Sequence, residues 1–160
     1  MKTRHVVAAW VLGSTFAFGS AVAQSAAPPG DPSGAPRLEQ VRNGAVRGVI
    51  KGQAVQLKGG VYEGPPFTRG GTERPRIELI EKFGATGNLD DSPTAERVVL
   101  LRHDTGASGV KVYLAVYGMR GERVANLSTV VVGDRATPAV LSIAGALISL
   151  ELVEAGHQTR

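Results

Sequence analysis

The 160-residue chain contains no cysteine. That excludes disulfides, thiolate metal ligands and lipid attachment at a processed N-terminal cysteine. Aromatic residues make up only 5% of the chain, and there are three histidines. One of these, His5, lies in the opening segment. The remaining pair, His103 and His157, is too few for a zinc site without thiolates. Charge of one sign is also scarce: 18 Lys and Arg face 14 Asp and Glu, with no basic run. Lys2 and Arg4 belong to the opening segment, so the rest of the chain is closer still to balance. So small a surplus does not argue for an anionic membrane surface as partner, and no nucleic-acid partner is expected. No apolar stretch reaches the roughly 20 residues a spanning helix needs. The pattern predicts neither a membrane span nor a lipid anchor.

The opening segment, residues 1–23, has the three parts of a secretory leader. Lys2 and Arg4, with His5, make a positive start. Val6 to Phe18 is an apolar run diluted by Gly13, Ser14 and Thr15, and Ala21-Val22-Ala23 offers small side chains to a signal peptidase. This predicts cleavage between Ala23 and Gln24 and a periplasmic or secreted protein. Without cysteine, such a protein must rely on its core rather than on cross-links.

Residues 24–36 read QSAAPPGDPSGAP, with four prolines and no bulky apolar side chain. Such a segment cannot bury enough surface to offset the cost of ordering it, and a flexible tether is expected.

From Arg37 the pattern becomes that of strands. Val46–Ile50 and Gln53–Leu57 flank Lys51-Gly52, a hairpin connection. Arg76–Phe83 places Ile77 and Leu79 on one face, with Glu78 and Ile80 on the other. Glu96–Arg102 holds Val98, Val99, Leu100 and Leu101 in succession, which predicts a central strand covered on both faces. Gly109–Tyr117 follows a turn-rich stretch, and Gly118 to Gly121 reads as the next turn, before Arg123–Val132. Ala139–Ile143 and Leu147–Val153 flank Ala144-Gly145-Ala146 as a last hairpin, with the final strand at an edge or surface. Leu38–Val41 is the best helical segment, a single turn. Turn signals at this regular spacing predict an all-β domain over 37–155, an antiparallel β-sandwich or open barrel of about seven or eight strands. Residues 156–160 should fray.

Two stretches offer candidate sites. In the first, Asn88, Asp90 and Ser92 alternate along a loop with Glu96 downstream, an arrangement that can converge oxygens on calcium. Only one of the three loop residues is a carboxylate, and Pro93 stands where a calcium loop turns on glycine. The pattern therefore favours a polar connecting loop with no cofactor, calcium being the weaker reading. The second stretch, Tyr62 to Arg76, is rich in Pro and Gly and carries Tyr62, Phe67, Arg69, Arg74 and Arg76. Aromatic and Arg side chains on a loop suit contact with an envelope protein or a small anionic ligand. The competing reading has Tyr62 and Phe67 closing one end of the core.

A catalytic reading finds less support. His103-Asp104 with Ser108 suggests a small periplasmic hydrolase, but Gly106-Ala107-Ser108-Gly109 is not a nucleophile elbow. No catalytic residue is assigned. Asn126-Leu127-Ser128 fits a glycosylation sequon, a pattern too short to weigh, and on a central strand its Asn would be buried.

The stretches VQLKGGVYEGPPFTRGGTERPRIELIEKFGATGNLDD, ERVVLLRHDTGASGVKVYLAVYG and VVVGDR, with the closing hairpin, resemble a class of exported proteobacterial proteins of unknown function. The resemblance runs from about Val55 to Ala155, nearly the whole folded part. It implies an envelope location and a β architecture, and no activity. Similar proteins carry a more acidic D-x-D-x-D-G turn, from which Asn88, Asp90 and Ser92 depart. The leading expectation is a soluble binding or structural module of the cell envelope.

Overall fold

The computed structural model describes residues 2–9, 34–106 and 109–154. The single helix among them, α1 (Leu38–Arg42), is the turn its sequence predicts. The other elements are strands: β1 (Lys2–Ala9), β2 (Ala45–Arg47), β3 (Ala54–Gln56), β4 (Val61–Glu63), β5 (Arg76–Gly87), β6 (Glu96–Asp104), β7 (Val110–Arg120), β8 (Arg123–Asp134), β9 (Ala136–Ala144) and β10 (Leu147–Glu154). All pair antiparallel, so the fold is all-β.

A five-stranded sheet, β4-β5-β6-β7-β8, curls into a half-barrel. β6 occupies its centre, and the unbroken run Val98–Leu101 shows why. Val99 and Leu101 point to one face and Val98 and Leu100 to the other, all at most 1% exposed. On the first face α1 and the β2-β3 hairpin contribute Val41, Val46, Val49, Val55 and Leu57, which close over Tyr113, Ala115 and Tyr117. On the second face β10 contributes Ile148, Leu150 and Leu152 and β9 contributes Ala136, Leu141 and Ile143, closing over Leu114 and Val116. Each such buried side chain adds about 1.5–3 kcal/mol of transfer free energy. Two cores back to back stand in for the missing cross-links.

Polar contacts seat the first cover. Asn43 Nδ2 donates to the Glu39 carboxylate at 2.8 Å, while its Oδ1 accepts from Gly59 N–H at 3.0 Å. Arg42 reaches Glu81 at 3.4 Å. On the far side, Asn126 Nδ2 donates to the Val116 and Ser128 carbonyls. Its Oδ1 accepts from Arg47 N–H at 3.0 Å, joining β2 to a bulge in β7-β8. The sequon Asn is thus a half-buried bulge clamp on β8, the outermost strand of its sheet.

Several boundaries differ from the sequence-based expectation. The Lys51-Gly52 turn is present, closed by Gln53 N–H to Ile50 O at 3.1 Å with Gly52 at φ 72°. Its flanking strands are three residues each, because Val49 and Ile50 leave the ladder to pack on the core. The stretch from Tyr62 is not all loop, since Val61–Glu63 pairs with β5. The turn expected over Gly118 to Gly121 is shorter: β7 continues to Arg120, which pairs with Arg123 across Gly121-Glu122. Gly34 to Pro36, at the end of the expected tether, are described, and Pro36 is buried. β10 lies between β1 and β9 in the full chain, and loss of the leader would leave it the edge strand expected. β1 comes from the segment read as a leader; residues 10–33, including the cleavage site, and residues 156–160 lie outside the described residues.

Candidate functional site

The 88–96 loop joins β5 to β6, and its polar side chains fold it. Asn88 Oδ1 accepts from Asp90 N–H at 3.3 Å, and Asp90 Oδ1 accepts from Ser92 N–H at 3.0 Å. Asn88 Nδ2 donates to the Ser92 carbonyl, and Ser92 Oγ donates to Thr94 O at 2.7 Å. These are side-chain-to-backbone turns of the kind Asn, Asp and Ser favour. Ser92 holds the Asp90 carboxyl below its ordinary pKa through its side chain and its N–H, and the Arg120 charge adds to this. Because the Ser92 hydroxyl donates to Thr94, its N–H is the firmer of the two bonds. Two of the alternating oxygens, on Asn88 and Asp90, therefore face backbone donors inside the loop, and the third, Ser92 Oγ, faces a backbone acceptor. Among the described residues no group of three or more His, Asp or Glu converges as metal ligands do.

Glu96 does something else. It opens β6 on the second face of the sheet and is 3% exposed. Its Oε2 accepts from Leu89 N–H at 2.8 Å, which ties the loop down over the sheet. Beside it lies a cavity of about 230 Å³ lined by Leu89, Asp90, Glu96, Val116, Arg120, Leu127 and Ser128. Leu89, Val116 and Leu127 give it apolar walls, and Asp90 and Arg120 are exposed. Gly118 is needed here, since a Cβ on it would come within 2.8 Å of Leu127 Cδ1. The structure thus unites two of the expected loop residues, Asp90 and Glu96, with a guanidinium that the residue pattern had placed in a turn. With the turn at Gly121-Glu122, Val116, Gly118 and Arg120 alternate onto one face, the signal that could have found it.

The other candidates disperse. Tyr62 is half-buried against the first core. Phe67 is 50% exposed and lies over Gly106, where an added Cβ would sit 2.7 Å from its Cε2. Arg69 and Arg74 are exposed, and Arg76 pairs with Glu63 at 2.8 Å and lies 3.8 Å from Glu78. At the opposite end of β6 a wider groove of about 400 Å³ includes Ile80, Lys82, Phe83, Arg102 and Arg135. Its cations are exposed, with Lys82 Nζ 5.0 Å from the Phe83 ring centroid.

His103 is 7% exposed, and neither ring nitrogen has a hydrogen-bond partner among the described residues. Its ring lies 6.1 Å from that of Tyr113. Burial first, then the Lys111 charge, lowers its pKa against the opposing pull of Asp104, which keeps the ring neutral at pH 7. Asp104 Oδ1 accepts from Gly106 N–H at 2.9 Å, a turn-forming contact. Ser108 lies outside the described residues.

No protein-family model matches the chain, and no match is found among curated proteins or solved structures.

Proposed function

We propose that the chain is an exported β domain of the cell envelope, cleaved before Gln24, that binds a small ligand rather than catalysing a reaction. The cavity beside Glu96 carries the reading. It combines apolar walls with a nearly buried carboxylate, the mixture by which ligand pockets hold and orient small molecules. The leader-like residues 1–23 and the resemblance to exported proteins support the location. Among the described residues no helix is long and apolar enough to cross a membrane. Among the described residues His103 has no hydrogen-bond partner at either nitrogen, so none of them arms it as a general base.

The test is an NMR screen of the isotope-labelled protein against a chemically mixed fragment set. Hits should shift the amide signals of Leu89, Val116, Leu127 and Ser128 together. Hits that map instead to Tyr62–Arg76 would return the site to that loop, and an absence of hits would end the binding reading. Intact mass of the chain isolated from its own cell envelope should begin at Gln24.

A further inference from the structure

Charge is unevenly met inside the cavity. Among the described residues, the Glu96 carboxylate receives one hydrogen bond, from Leu89 N–H. A carboxylate offers about four acceptor positions, and since Glu96 also lines the cavity, those that Leu89 does not fill are open to a ligand there. Asp90 differs: it is exposed, its Oδ1 takes the Ser92 N–H, and Arg120 already acts on it electrostatically. Asp90 and Arg120 are exposed and act on each other, which leaves Glu96, among the described residues, as the lining carboxylate with no cation paired to it.

Resting on the binding reading above, we infer that the ligand is a small primary amine whose ammonium group meets Glu96 and whose short apolar body lies against Leu89, Val116 and Leu127. An ammonium carries one charge and three donors, which suits Glu96 together with other oxygens lining the cavity, such as those of Ser128 on β8. A calcium ion would need six or more oxygens, and the loop's own are engaged with its backbone. The Arg120 charge also opposes a divalent ion more than a monovalent one. An anion would meet Glu96 directly. The volume, about 230 Å³, limits the body to a few carbons.

The experiment titrates the labelled protein with four probes of similar shape: isoamylamine, isoamyl alcohol, isovalerate and L-leucine. Isoamylamine should shift the cavity signals saturably, with the alcohol and isovalerate at least about tenfold weaker, as a lost charged hydrogen bond predicts. Glu96→Gln can still accept from Leu89 N–H, and it should bring the amine down to the affinity of the alcohol. Its melting temperature reports whether the loop stays seated, and the probe series on the unaltered protein stands whether or not the variant folds. Equal binding of amine and alcohol at these residues would overturn the ammonium while leaving the cavity a binding site. Tightest binding of L-leucine would replace the simple amine with a zwitterion held also by Arg120. If no probe binds but other fragments map to the cavity, the amine falls alone; if nothing binds there, both readings fall.

Discussion

Tyr117 offers a test of the core with an unusual sign. The residue is fully buried in the first core, and its hydroxyl has no hydrogen-bond partner among the described residues. Burial pushes its phenol well above the ordinary pKa of 10.0. Tyr117→Phe removes the orphaned oxygen and leaves the ring against its neighbours in the first core. An unsatisfied buried hydroxyl costs about 1–3 kcal/mol, while the void its removal leaves is about one atom in size. Tyr117→Phe should therefore stabilise the protein by about 1 kcal/mol or more, raising Tm by roughly 3 °C per kcal/mol for a chain of this length. The assay is thermal and urea unfolding, with Tyr113→Phe as control, because Tyr113 is 8% exposed and its hydroxyl is not orphaned. A second arm uses pH. The folded pKa lies above the unfolded one, so stability present below about pH 10 is lost as pH rises beyond it. Tyr117→Phe should remove that loss. A Tm lowered by several degrees would mean the hydroxyl has a partner, a bound water for instance, and would refute the reasoning.

Three further outcomes follow from the same structure. His103 has a folded pKa below its unfolded value of 6.5, so its contribution is complete above pH 6.5 and is lost as pH falls towards the folded value. His103→Leu should flatten Tm against pH in that window, and an unchanged slope would count against its burial. Leu100→Ala and Leu101→Ala should each cost about 2–5 kcal/mol in urea unfolding. Because they open cavities in separate cores, the double variant should approach the sum, and strong non-additivity would argue against two cores. Millimolar calcium or a chelator should leave Tm unchanged, since the 88–92 oxygens already accept or donate within the loop; a clear rise with calcium would restore the metal reading.

Strand content was legible because alternation by twos and Gly-centred turns are local signals. The clearest case is β6, whose unbroken Val98–Leu101 marks a strand with apolar matter on both sides. β4 was missed because Val61–Glu63 has no alternation to read in three residues and pairs only through β5. Leu147–Val153 reads as an edge or surface strand from its alternation; in the full chain β1 pairs alongside it, a partner that one buried face cannot name. The candidate site was half legible. Asp90 and Glu96 stood out as acids near a loop, whereas Arg120, Leu127 and Ser128 enter from a hairpin distant in sequence.

By itself, the chain's composition and periodicity settle an antiparallel β fold without disulfides, since both follow from short-range chemistry and from residues that are simply not there. Only the tertiary structure decided that β6 divides two cores, that the Asn88–Ser92 oxygens close on their own backbone, and that Glu96 shares a cavity with Arg120. Register does this: a side chain's neighbours across a sheet depend on how strands far apart in sequence slide and curl together, and no local pattern encodes that.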